Sequence, residues 1–455
     1  MSRLAGSWSR RLFLSLVSTT PLLNACRPPQ RGEVSQQPGR PELKPAEIRT
    51  YEWPPQPDQD AMKAIAEAYQ QRQGKITVTV EQPSGDHYEK LQAVLAGGVG
   101  PDLINTQSWR WQPFAAKEAL VPLDKLRSRD RFDVAWPKQW EKMYEPQTVY
   151  RGKLYARPYH WGSVNIFYAK EVFDRFGVPY PSPEWTFAEF LETARRLTRP
   201  DGDTQYYGFQ SVRIYTRWLG FMRMQGETEW DRLVEPMKAQ WHLRTIMEAL
   251  DFLLYESFHT VRVSPTLADQ GRGAVIEQGR CAMKVEGPWF FPSMWGERAA
   301  RAGGVPFDVA PLPKGRTGQR VTAAVGHVHT INAQTKELEA AWDFMKFIAS
   351  DEAQEIVVRI TGRQPITPEQ NQRIWAPLVQ QLYNFTTADT FIRAFDYGQF
   401  HFTGELDEGF LFRESGLNDA LTAMINGEKR AMEVIPDANR RMQQLLDEYW
   451  ARQKR

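Results

Sequence analysis

The chain has 455 residues, with 57 basic and 55 acidic side chains and a formal net charge of +2. Its 16 Trp, 16 Tyr and 24 Phe supply ample surface to bury, which excludes disorder over most of the length. A mean hydropathy of −0.55 without any long apolar run excludes a multi-span membrane protein. The near-neutral charge gives no electrostatic case for nucleic acid, and two cysteines cannot build a disulfide scaffold.

Residues 1–25 carry Arg3, Arg10 and Arg11 and no acid, followed by a mostly apolar run from Leu12 to Leu23. That run is too short to span a bilayer and fits the apolar core of a signal peptide. Ser9-Arg10-Arg11-Leu12-Phe13-Leu14 resembles a twin-arginine export motif, and Leu23-Asn24-Ala25-Cys26 resembles a bacterial lipobox whose cysteine is acylated. Residues 26–45 therefore read as a lipidated Cys26 followed by a linker. Five prolines and no aromatic between Arg27 and Pro45 leave too little to bury for that stretch to fold. The second cysteine, Cys281, lies in an alternating run and reads as a buried, inert thiol.

The body opens with a βαβ pattern. Ile48 to Trp53 reads as a strand ending at Pro54-Pro55. Met62, Ile65, Ala66 and Tyr69 follow helical spacing up to a stop at Gly74. Ile76, Val78 and Val80 alternate as a strand, Tyr88, Leu91 and Leu95 mark a second helix ending at Gly97-Gly98, and Asp102 to Asn105 reads as a short buried strand. Strands alternating with helices imply a mostly parallel sheet, which binds ligands beyond the carboxyl ends of its strands. Further on, Thr186 to Glu189 forms a capping box before a helix with Phe190, Leu191 and Ala194 on its buried face. Phe307 to Ala310 and Val321 to Ile331 read as strands. Leu338 to Ala349 and Ile435 to Tyr449 read as amphipathic helices.

Catalytic signatures are absent from the sequence: no G-x-S-x-G, no H-E-x-x-H and no P-loop. Lys314-Gly315-Arg316-Thr317-Gly318 reads as a surface turn, and Ala96 to Gly100 as a helix stop. His327 and His329, two apart on a strand, share a face but have no third metal ligand nearby in sequence. Neither a metal nor another cofactor is expected. Tryptophan stands out by placement, because Trp53, Trp109, Trp111, Trp161 and Trp289 fall at strand ends or in loops. Indole faces match the apolar C–H face of a sugar, and Asp, Glu, Asn, Arg and His match its hydroxyl rim.

Taken in order, several blocks resemble those of the bacterial extracellular solute-binding proteins of family 1, the carbohydrate-type receptors of ABC importers that include maltose-binding protein. The blocks are Lys90 to Gly98 with Pro101-Asp102, Leu120-Val121-Pro122-Leu123-Asp124, Gly152 to Tyr159, Gly177-Val178-Pro179 with Trp185-Thr186-Phe187, Gly279 to Met283 with Gly287-Pro288-Trp289, Ala310 to Gly315, and Ala340 to Phe344. Tyr168-Ala169-Lys170 departs from the family's Tyr-Asn-Lys.

The resemblance implies an α/β, periplasmic-binding-protein-like fold of two lobes with mixed sheets, joined by hinge segments near Pro158, Thr322 and Pro365. The N-terminal lobe would comprise residues 46–158 and 323–365, and the C-terminal lobe 159–322 and 366–455. By position, the ligand-binding candidates are Trp53, Trp109, Arg110, His160, Trp161, Glu286, Trp289, His327 and Arg363. The implied role is a monomeric, lipid-anchored receptor in the periplasm or on the outer face of the cytoplasmic membrane. It would capture a sugar or oligosaccharide between its lobes and deliver it to ABC permease subunits, without catalysis. Other readings are the same fold holding a polyol phosphate, polyamine or peptide, a sensor-linked receptor, or a secreted glycan hydrolase, which would need two facing carboxylates.

Overall fold

Strand β1 (Ala46–Tyr51) opens the folded body and pairs in parallel with β2 (Ile76–Glu81) across helix α1 (Gln56–Gln73). The computed structural model describes residues 41–82, 85–132, 138–294, 306–384 and 386–453; the expected signal peptide and Cys26 lie outside them. Helix α1 forms because Ala61, Met62, Ile65, Ala66 and Tyr69 line one buried face, and it stops where Gly74 adopts φ 65°. Helix α2 (His87–Ala96) is capped by the Asp86 carboxylate, which accepts from the Tyr88 and Glu89 amides, both at 2.9 Å. It leads to β3 (Leu103–Gln107), parallel to β1. This opening is the βαβ arrangement expected. The first strand ends two residues early, at Tyr51; the Glu52 amide still donates to the Glu81 carbonyl at 3.2 Å, and Trp53 turns away before the two prolines.

The chain then forms β4 (Ala156–Ser163) and β5 (Asn165–Ala169), and after helices α3 (Phe187–Leu197) and α4 (Tyr215–Arg223) come β6 (Met283–Glu286), β7 (Phe307–Ala310) and β8 (Thr322–Ile331). Helices α5 (Leu338–Ile348) and α6 (Asp351–Thr361), the short β9 (Gly398–Gln399) and α7 (Ala431–Gln453) follow. The Thr186–Glu189 capping box at the start of α3 is formed, with the Thr186 amide donating to Glu189 at 2.7 Å. The last helix starts a turn earlier than its apolar spacing suggests, so that Pro436 falls inside it and costs one backbone hydrogen bond.

Among the described residues two principal sheets form. The larger runs β9-β8-β3-β1-β2, with β4 also paired to β8. The smaller is β6-β5-β7 and entirely antiparallel, so the parallel pattern of the opening does not extend to it. The two faces of the larger sheet bury different cores. One is mainly aliphatic, around Ile48, Met62, Ile65 and Leu103 with Trp342 and Phe344 among them, and the other mainly aromatic, around Trp111, Trp140, Tyr144, Trp161 and Phe395. A third core surrounds the smaller sheet, with Phe167, Phe190, Trp218 and Phe291. Cys281 lies within it, fully buried, and burial beside Glu277 pushes its thiol up.

Strand β8 binds these parts together. All ten of its residues are buried, and it pairs antiparallel with both β3 and β4. The chain leaves the larger sheet for the smaller one at Val164, whose amide donates to the Ala323 carbonyl at 3.0 Å. This is a few residues beyond Pro158, where the crossing was expected. The Gln364 carbonyl accepts from the Trp161 amide at 3.1 Å, and its side chain from the Ser163 amide at 3.2 Å. Three segments far apart in sequence thus run side by side.

Gly326 permits this approach, because a Cβ there would fall inside contact distance of the His160 carbonyl oxygen and the Trp161 ring. Gly326→Ala is expected to destabilise the fold by about 3 kcal/mol in urea denaturation. Gly271→Ala, whose Cβ would meet nothing within 4 Å, should shift stability by no more than about 1 kcal/mol.

Candidate ligand-binding site

Trp53 emerges from the carboxyl end of β1, half-buried, with the His87 ring 5.0 Å away and the His327 ring 5.1 Å away, both edge-on. His327 stands directly opposite His160 across the β8–β4 ladder, and their rings are 4.9 Å apart. Tyr159 is the extra residue of a bulge in that ladder, which sets His160 in this position. Behind the imidazoles lies Asp58, from the first turn of α1, with an oxygen 3.7 Å from His160 Nε2, too long for a hydrogen bond. The Arg363 guanidinium donates to the other Asp58 oxygen at 2.8 Å, and its carbon lies 5.6 Å from the Trp289 ring centre.

Trp289 belongs to the turn after β6. Its indole Nε1 donates to Glu286 at 2.9 Å, and its ring lies against the backbones of Gly162 and Gly287, where a Cβ would collide. Glu286 also accepts from Arg217 Nη2 at 2.6 Å and Nε at 3.1 Å. A continuous chain of contacts therefore runs from Trp53, on the larger sheet, through His327, His160, Asp58 and Arg363 to Trp289, Glu286 and Arg217 beside the smaller one.

A second branch holds Trp109 and Arg110, in the turn after β3. Arg110 grips Asp407 with Nε at 2.8 Å and Nη2 at 2.9 Å, and its guanidinium lies 3.6 Å over the Tyr88 ring. Trp109 packs against the imidazole of His401, with ring centres 4.1 Å apart and the planes tilted by 32°. The structure does not bring Trp161 into this group. It is fully buried on the aromatic face of the larger sheet, 4.6 Å from Tyr144, because neighbouring strand residues alternate and His160 takes the polar side. Trp111 is likewise interior, its Nε1 donating to the Ser108 and Gln147 carbonyls.

The charges are balanced in pairs. Burial alone would raise the Asp58 carboxyl, but Arg363 and His160 outweigh it and hold the group below the usual carboxylate range. Burial, reinforced by Arg363, lowers His160 to about 4, and burial lowers His87 to about 4 as well. His327 is pushed well down by burial and by His160. These imidazoles are neutral at pH 7. Both His327 and His329 contact Asn105, so they do share a face, but His329 is engaged by Glu52 at 2.8 Å. Among the described residues, no three His, Cys, Asp or Glu are grouped to hold a metal ion.

Sequence reasoning missed Asp58, Arg217, His401 and Asp407. Histidine scarcity was the available signal: five of the seven, His87, His160, His327, His329 and His401, are buried.

The chain belongs to the bacterial extracellular solute-binding protein family, whose sequence profile matches residues 53–355, well over half of its length. Among solved structures it is similar to an ABC substrate-binding protein of Listeria monocytogenes in complex with cycloalternan, at 20% identity and a TM-score of 0.75, covering 89% of this chain and 99% of that one. The GacH receptor of Streptomyces glaucescens, determined unliganded and with acarbose, gives 21% identity and a TM-score of 0.72 over 89% and 99% of the two chains. At these identities the likeness establishes the fold. The melibiose/raffinose/stachyose-binding protein MelE of Bacillus subtilis is 21% identical over 146 residues, 31% of each chain.

Because His160 is protonated in the unfolded chain below about pH 6.5 but resists protonation in the fold down to about 4, its share of stability is present above 6.5 and lost as pH falls towards 4. A raised carboxyl, Glu235 at about 7 through burial and Glu405, gives a slope of the opposite sign, so the test is a difference. His160→Asn should lose less stability than wild type between pH 7 and 4, by an amount of order 3 kcal/mol, in thermal melts across that range.

Proposed function

We propose that the protein is an extracytoplasmic receptor that captures a sugar or short oligosaccharide and hands it to an ABC permease, without acting on it chemically. The carrying observation is the arrangement of half-buried Trp53 and Trp289 around arginines that each already hold a carboxylate: Arg363 with Asp58, and Arg217 with Glu286. A saccharide ring offers an apolar face for the indoles and hydroxyls that both donate and accept, and paired guanidinium and carboxylate groups supply the matching acceptors and donors. An anionic ligand would have to displace a carboxylate from each arginine. That argues against a polyol phosphate.

On this reading the body works as two lobes, residues 46–158 with 323–365 and 159–322 with 366–455, closing over the ligand about the side-by-side segments at Val164, Ala323 and Gln364. The closed form is what a permease recognises, and ligand favours it only by binding it more tightly than the open form. The fold matches with the Listeria substrate-binding protein solved with cycloalternan and the Streptomyces GacH receptor solved with acarbose, and the match to the melibiose/raffinose/stachyose-binding protein MelE, support carbohydrate as the cargo. The twin-arginine-like and lipobox-like sequences of residues 9–26 support a location outside the cytoplasm, with Cys26 tethered through acyl chains.

Titration calorimetry against a panel of mono- to tetrasaccharides should show one-to-one binding with no hydrolysis product; retention of none of them, or released product, refutes the reading. Trp53→Ala and Trp289→Ala should each weaken a bound sugar by about 10- to 100-fold. For the anchor, the wild-type chain expressed with its leader should take up labelled palmitate and sediment with membranes, and Cys26→Ser should do neither. A wild-type chain that takes up no label removes the anchor from the proposal.

A further inference from the structure

Trp109 is placed like Trp53, just beyond the carboxyl end of a parallel strand of the larger sheet, yet the two indoles meet different fates. Trp53 is half-buried between imidazole edges. Trp109 has a ring face occupied from within: the His401 imidazole lies 4.1 Å from it, at 32°. At that separation the tilted imidazole covers the indole face. The indole Nε1 of Trp109 is buried and finds no hydrogen-bond partner, so no ligand hydroxyl reaches it while His401 is in place.

His401 is not free to swing away. Its Nδ1 is 2.8 Å from the Glu408 carboxylate, its Nε2 is 3.0 Å from the Thr216 hydroxyl, and Tyr215 abuts the ring edge-on at 4.6 Å. The segment carrying it is fastened on both sides. Arg223 donates to the Phe400 carbonyl at 2.9 Å, and Asp407 is held by both nitrogens of Arg110. An imidazole satisfied at both nitrogens and clamped by its neighbours fills the face as a fixed wall.

We propose that His401 is a specificity-determining residue that ends the saccharide site at Trp109 and so restricts it to short saccharides. This rests on the carbohydrate-receptor reading above. The position where a further sugar ring would stack on Trp109 is taken by the protein's own ring, leaving half-buried Trp53 and Trp289 as the indoles a saccharide can reach.

The test measures dissociation constants for two graded series, maltose to maltotetraose and melibiose through raffinose to stachyose, with wild type, His401→Ala and His401→Phe. In whichever series binds, wild-type affinity should not rise from disaccharide to tetrasaccharide. His401→Ala should shift the tetrasaccharide-to-disaccharide affinity ratio by at least tenfold towards the longer sugar. His401→Phe, which restores a ring on the indole, should keep the wild-type ratio. A wild type that already prefers the tetrasaccharide overturns the assignment without any variant. An unchanged ratio in a folded His401→Ala protein overturns it too, while leaving the receptor reading intact. Binding of no sugar by the wild type, across these series and the wider panel, refutes the receptor reading and this assignment together.

Discussion

The close approach of β8 to β4 is the constraint on which the rest of the molecule depends. A glycine at 326 lets two backbones come together, and that contact fixes three things at once. It sets His160 opposite His327, it turns Trp161 into the aromatic core, and it lays Val164 beside Ala323 where the chain moves from one sheet to the other. A fully buried strand paired on both sides must satisfy every backbone group through its neighbours. The register of β8 therefore dictates which side chains of β3 and β4 face the polar cluster.

That cluster is held by electrostatics in a largely dry setting. Removing Asp58, Arg363, Arg217 and Glu286 from water is costly, and each guanidinium recovers the cost only by holding a carboxylate. Neutral imidazoles fill the space between them without adding charge. The result is a surface rich in hydrogen-bonding groups but poor in net charge, which suits a polyhydroxylated, uncharged ligand better than an ion. The same economy explains why Arg110, which looks available in the sequence, is bound to Asp407 across almost 300 positions of chain.

Local order was largely legible. The apolar spacing from Met62 to Tyr69, the glycine stop at 74, the alternation over residues 76–80 and the Thr186–Glu189 box all depend on neighbours a few residues away, and each element formed where the pattern placed it. Boundaries drifted where the deciding force was remote. The first strand ends where its register with β2 ends, not at the Pro54-Pro55 pair, and the antiparallel pairing of the smaller sheet joins segments more than a hundred residues apart.

The order of short blocks along the chain sufficed for the family and its α/β architecture, because such blocks record turns, caps and strand ends that are local in origin. They also nominated residues near the polar cluster: Trp53, His160, Glu286, Trp289, His327 and Arg363. Partnership lay beyond their reach. Asp58 finds Arg363 and His401 finds Trp109 only after the chain has folded back on itself, and no periodicity in a linear string encodes a contact between segments that meet through the packing of two sheets. Whether an indole stays half-exposed, sinks into the core or is covered by another ring is settled by the alternation and register of the strands around it, which is why Trp53, Trp161 and Trp109 look alike as text and differ in the molecule.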